Sequence, residues 1–211
     1  MKKLGRATNS FANKNTMQRR NSMKLTNLFK AAILAVSVTA LSGCGTINAI
    51  GNLNEGAGET FMQVWDKWVE SEGDIADATM WEVKVDEGIT LEEVIDAINA
   101  VGVNNNIKNV GELPLSEELK ARGIESGVIH VMSFCNPVTA RKMTDFSPAM
   151  AGFLPCRVNI VEEEDGLHIY TMNMDMAIKM GKKMPPELLE ATMQVRNTMW
   201  EMLEKGKTGE F

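Results

Sequence analysis

The sequence predicts a single domain of the α+β class behind an export leader. Three observations predict it. Apolar residues recur at helical spacing over 61–69, 91–101 and 188–203, short strand-like runs separate these stretches, and two of those runs flank an acidic turn. The 211 residues are 44% apolar, 24% charged and 6% aromatic. That is enough for one core of ordinary size, and it excludes a collagen-like, disulfide-dense or wholly disordered chain.

Residues 1–43 read as a leader. Lys24 and Lys30 give the positive flank and 31–41 an uncharged run. Leu41-Ser42-Gly43-Cys44 gives a small-residue cleavage site. An eleven-residue run rises only about half of a ~30 Å hydrocarbon core, so a removed signal fits better than a spanning helix. Residues 41–44 resemble a bacterial lipobox, which implies cleavage before Cys44, diacylglycerol on its thiol and a third acyl chain on the new amino terminus. The competing reading is an ordinary thiol after an ordinary signal. Gly45 stands where Asp would favour inner-membrane retention, so the same resemblance implies a periplasmic lipoprotein of the outer membrane. Residues 1–22 lack an apolar run, and Met23 is the expected start. Arg19-Arg20 lacks the apolar pair that a twin-arginine signal carries soon after it.

Cleavage at Cys44 leaves 14 basic against 28 acidic residues, a net charge of −14. A surface of that sign repels phosphate backbones and excludes nucleic acid as the expected partner.

Residues 44–58, rich in Gly, Asn and Ala, are expected to be a flexible tether, and 59–211 the domain. Gly51 and Gly56 imitate a phosphate-binding loop, but Ala57-Gly58 stands where Lys-Ser/Thr is required. Phe61, Val64, Trp65, Trp68 and Val69 make 59–71 an amphipathic helix. Residues 79–86 alternate, with Trp81, Val83 and Val85 on one strand face. Thr90 and Glu93 have capping-box spacing ahead of a helix that Asn104-Asn105-Asn106 stops. A short strand over 107–110 and a helical turn over 116–121 follow.

Residues 128–135 are the most strand-like run, ended by Asn136-Pro137, which starts a helix at Val138. Residues 146–153 read as loop or short helix, 156–161 and 167–173 as strands. Pro185-Pro186-Glu187 starts the last helix, which is expected to end near Gly206. For the hairpin, a three-residue loop with Gly166 in the left-handed position pairs Val158 with Met172 and Ile160 with Tyr170. That register places Cys156, Met172 and Met174 on one apolar face, and the hydrophobic pattern favours it over a two-residue Asp165-Gly166 loop.

Several stretches carry a family resemblance: Phe134-Cys135-Asn136-Pro137, Phe153-Leu154-Pro155-Cys156-Arg157-Val158, Glu163-Glu164-Asp165-Gly166 and 170–176. From about Trp81 to the C terminus the chain resembles the domain-of-unknown-function 302 family. It is most similar to the exported, cysteine-containing branch, which shares a tail like Gly209-Glu210-Phe211. The resemblance implies an antiparallel sheet of four to five strands packed on helices, similar to the TATA-binding-protein fold, and a homodimer. It implies no reaction.

Cys135 and Cys156 remain as an even pair once Cys44 is acylated. Three readings stand: a structural disulfide worth ~3 kcal/mol for the loop that it closes, two free or transiently oxidised thiols, and a functional pair that exchanges sulfur or binds a soft metal. Thirteen methionines follow Cys44. Thiolate and thioether ligands select Cu(I), which makes Cys135, Cys156, Met172 and Met174 the candidate copper set, although Met on a strand also serves as plain packing.

His130 and His168 are the only histidines. His168 is expected beside Glu162 as a surface ion pair, and Arg157 and Asp175 as surface partners or a recognition pair. No zinc-hydrolase spacing, paired Cys-x-x-Cys or Gly-x-Ser-x-Gly occurs. The sequence therefore favours a non-enzymatic, lipid-anchored domain that binds a small molecule or protein. Thiol redox chemistry and Cu(I) capture are the alternatives.

Overall fold

The computed structural model describes residues 51–211, of which Asn52–Phe211 form one unit. The leader, Cys44 and residues 45–50 of the expected tether lie outside the described residues. The chain runs through α1 (Ala57–Glu70), α2 (Ile75–Thr79), β1 (Met80–Lys84), α3 (Leu91–Asn104), β2 (Lys108–Pro114) and α4 (Leu115–Ala121). It continues through β3 (Ile129–Cys135), α5 (Pro137–Phe146), a 3-10 turn (Pro148–Phe153), β4 (Cys156–Glu163), β5 (Gly166–Met172), α6 (Met174–Lys179) and α7 (Pro186–Thr208). The five strands form one antiparallel sheet in the order β1-β5-β4-β3-β2. The expected α+β class holds, with five strands.

Local chemistry accounts for the elements. The Thr90–Glu93 capping box forms as expected: Glu93 N–H donates to Thr90 Oγ1 (3.3 Å), and Thr90 N–H donates to the Glu93 carboxylate (2.8 Å). Asn136 caps α5 by accepting from Val138 and Thr139 N–H, with Pro137 in the first turn. The last helix does not stop at Gly206. It runs to a left-handed Gly209, and Gly206 lies buried inside it against Ile98 and Ile169. A small residue is needed there for helix to meet sheet, not for a helix end.

The sheet packs one face against α3 and α7. Val94, Ile98 and Val101 of α3 and Met199, Met202 and Leu203 of α7 enclose Met132, Phe134, Val158, Ile160 and Ile169. At ~25 cal/mol per Å² of apolar surface removed from water, this layer is the main source of stability. A smaller cluster of Met143, Met150, Met184 and Leu188 joins α5, the 3-10 turn and the start of α7.

The hairpin register differs from both alternatives weighed from sequence. The turn is Glu164-Asp165, Glu163 pairs with Gly166, Ile160 with Ile169 and Val158 with Thr171. Gly166 has φ 132°, a region that favours glycine. Thr171 is buried because its hydroxyl donates to Arg157 O (2.7 Å), so a polar residue takes a core position that the apolar pattern assigned to Met172. Tyr170 and His168 consequently share the opposite face with Glu82 of β1. Met174 is not on a strand at all. Asn173 accepts from Asp175 N–H and opens α6.

Residues 52–58, expected in the tether, are bound to the domain. Asn54 is buried, its side chain donating to Ile178 O (2.7 Å) and accepting from Met184 N–H (3.3 Å). Lys183 N–H donates to Asn52 O, and Leu53 bridges Lys182.

A Cβ on Gly102 of α3 would sit 2.9 Å from Ile107 O and 3.1 Å from Phe134 Cε1. Backbone cannot yield as a side-chain tip does. Gly102→Ala is expected to lose about 1–2 kcal/mol despite a helix-propensity gain near 1 kcal/mol, read as a lower urea midpoint with an unchanged slope.

Candidate functional site: a cavity of thiols and thioethers

The ends of β3, β4 and β5 meet α5, α6 and the 3-10 turn around a small cavity. Cys135 ends β3, and Cys156 opens β4 directly opposite Phe134. Met172 ends β5, and Met174 begins α6. All four sequence-derived candidates line this one cavity, together with Met143, Met150, Phe134 and Ile178. They converge although the expected hairpin face does not exist, because strand ends and a helix start, not strand alternation, bring them there. Met143 and Met150 were not singled out from sequence, and their signal was only the methionine count.

The cavity has a volume of about 30 Å³. That admits one or two water-sized guests, an order of magnitude below the 300–1,000 Å³ of organic-ligand sites. An adjoining space of about 110 Å³, lined by Arg157 and Asn159, shares Phe153, Cys156, Met172 and Met174 with it. The inner cavity is therefore apolar and sulfur-lined, and the outer space supplies a polar approach.

Both cysteines are free thiols. Burial pushes the Cys156 thiol up to about 11, and neighbouring Cys135 adds to the rise against a weaker opposing pull from Arg157. Burial raises the Cys135 thiol as well. A thiol near 11 is ionised to about one part in ten thousand at pH 7, so Cys156 lacks the electropositive, exposed setting of a reactive cysteine.

A second cluster occupies the other sheet face. His168 is buried, with Nδ1 2.7 Å from Glu82 Oε1 and Nε2 2.9 Å from Asp165 Oδ1. Its partner is thus not Glu162, whose carboxylate accepts from Val128 N–H across the sheet. Lys84 joins Asp165 at 2.8 Å, and the Tyr170 hydroxyl donates to Glu163. Glu82, Glu163 and His168 offer ligand atoms within 4.8 Å of one another, but the hydrogen bonds already satisfy these groups. His130 Nε2 is buried and lies 3.3 Å from Glu112 Oε2, outside hydrogen-bond geometry.

Asp175, whose relation to Arg157 the sequence left open, is buried and has other partners. It accepts from Arg196 Nε (3.0 Å) and Nη2 (3.2 Å) and pairs with Lys179 (3.1 Å). Arg196 in turn lies over the Trp81 ring at 4.8 Å. Burial alone would raise the Asp175 carboxyl, but Arg196 and Lys179 outweigh it and hold it below the usual range.

The model of the family described as domain of unknown function DUF302 matches residues 81–206, more than half of the chain. The chain belongs to this family. The crystal structure of an uncharacterized conserved DUF302 protein from Bacillus stearothermophilus is similar at 18% identity and a TM-score of 0.49, covering 60% of this chain and 97% of that one. No curated protein matches. The DUF302 match spans every strand, but it begins after α1 and α2.

Two outcomes follow from these groups. For His168, burial lowers the imidazole pKa, but the hydrogen bonds to Glu82 and Asp165 and the charge of Glu163 raise it further, so the net value lies above the usual one. Its contribution is fully present below the unfolded value near 6.5 and is lost as pH rises through the folded value. Stability measured by urea titration across that window should fall for the wild type and flatten for His168→Gln. For Asp175, depression below 3.8 means stability present above that pH and lost below it. Asp175→Asn is expected to cost about 2 kcal/mol at pH 7, because it weakens charged hydrogen bonds, and to remove the acid-side decline.

Proposed function

We propose that this DUF302 protein is a lipid-anchored domain of the bacterial cell envelope that binds its ligand without transforming it, and that the ligand is a soft ion, Cu(I). The observation that carries the ligand class is the meeting of two thiols and four thioethers on a cavity too small for an organic molecule. Soft sulfur donors prefer Cu(I) over the harder divalent ions, and thioethers bind it without losing a proton. The raised thiols speak for a site that ionises only when a metal enters and against a standing nucleophile. Anchorage through acyl chains on Cys44, in the periplasm and preferably at the outer membrane, is supported by the leader, the small residues before Cys44 and Gly45. The resemblance to a family with homodimeric members supports a two-copy assembly.

Competition against a chromophoric Cu(I) chelator should give one ion per chain with a dissociation constant below micromolar. Cys135→Ser and Cys156→Ser are each expected to weaken binding at least tenfold, and Met172→Leu with Met174→Leu by a smaller factor. Because two protons leave if both thiols ligate, affinity should rise steeply with pH, up to about 100-fold per unit. Micromolar or weaker binding by the wild type overturns the ligand. Intact mass of natively purified protein checks the anchorage separately, and a retained leader or an unacylated Cys44 overturns it.

A further inference from the structure

Helix α1 carries its large apolar side chains away from the domain. The residues that it buries are small, Ala57 and Thr60, and Lys67 stands on the inner side, its amine donating to Met80 O (3.3 Å) and pairing with Asp77 (3.1 Å). The apolar stripe remains open: Phe61 is 48% exposed, Met62 51%, Trp65 47% and Val69 56%. Phe61 stacks on Trp65 at 6.3 Å, and Trp65 leans on Trp68 at 5.2 Å, so the stripe is one continuous aromatic surface. Ile75 at the start of α2 is exposed too. Trp68 donates its indole N–H to Gly73 O, whereas Trp65 has no partner for its own among the described residues. A helix of this length normally turns such a stripe into the core.

We infer that α1 is an interfacial helix that lies in the headgroup region of the membrane anchoring the chain, with Phe61, Trp65, Trp68 and Val69 entering the bilayer boundary. The inference rests on the anchorage proposed above. Chain length commits the occupant to lipid. Asn52 and Asn54 are held to the domain, so only residues 45–51 separate Cys44 from the first bound residue, a reach of at most about 28 Å. Acyl chains on Cys44 would hold α1 close to the surface. A tryptophan with an apolar body and an N–H left for water or headgroups, as Trp65 has, suits that interface. Glu59, Asp66 and Glu70 line the other exposed flank and the described chain is acidic, so attraction to anionic headgroups does not drive the contact.

The test uses the full, natively acylated protein in phosphatidylcholine vesicles with and without brominated acyl chains, which quench tryptophan only at contact. The wild type should lose at least a third of its emission, and added salt should not restore it. Phe61→Gln with Val69→Gln keeps all four tryptophans, alters only exposed positions and should at least halve the quenching. Acylated protein that stays on vesicles unquenched overturns the inference and leaves the anchorage standing, and so does an α1-to-α1 cross-link between two copies in place of quenching. If mass shows no acyl chains, the anchorage fails by itself. Quenching with added vesicles then still supports an interfacial α1, and its absence overturns it.

Discussion

Gly166 closes the β4–β5 turn at φ 132°, and the Glu164-Asp165 turn that it completes sets Ile160 opposite Ile169 and Val158 opposite Thr171. Every side chain on β4 and β5 takes its face from that pairing, because a slip of one residue would exchange the faces. With the turn in place, Val158, Ile160 and Ile169 meet α3 and α7, while His168 and Tyr170 meet Glu82 across the sheet. The same register ends β5 at Met172 and leaves Asn173 free to cap α6, which carries Met174 to the cavity. The sulfur cavity is thus a consequence of where strands end.

The two polar clusters and the sulfur cavity divide the domain chemically. Charges concentrate where they are mutually satisfied, around His168 on one sheet face and around Asp175 beside α7. The cavity lining holds none of them: its thiols have raised pKa values because burial dominates, and at Cys156 the opposing pull of Arg157 is weaker than that effect. Such an apolar space penalises a bare charge unless donor atoms coordinate it, and the donors that line this one are chiefly sulfur.

Much of the fold was legible in single residues. Thr90 with Glu93, Asn136 with Pro137 and Pro185 with Pro186 announce helix starts through backbone groups that need partners, and such local signals do not depend on distant packing. The strands over 79–86 and 128–135 were legible for the same reason. The hairpin register was not, because apolarity assigned Met172 and Tyr170 to the core. A hydrogen bond from Thr171 to Arg157 O, across to the neighbouring strand, made the polar residue the buried one. That Cys135, Cys156, Met172 and Met174 carry sulfur was legible from residue type, but that they share a cavity with Met143 and Met150 was not, because strand ends and helix starts distant in sequence bring them together.

By itself, then, the sequence determined element types, caps and charge, all of them properties of neighbours along the chain. Tertiary structure alone decided three further things. Gly206 marks a helix–sheet contact where sequence placed a helix end, His168 answers to Glu82 and Asp165, and the aromatic stripe of α1 faces outward. The physical reason is common to all three. A side chain's partner is set by what lies across the core or the sheet, at separations in sequence that local periodicity does not encode.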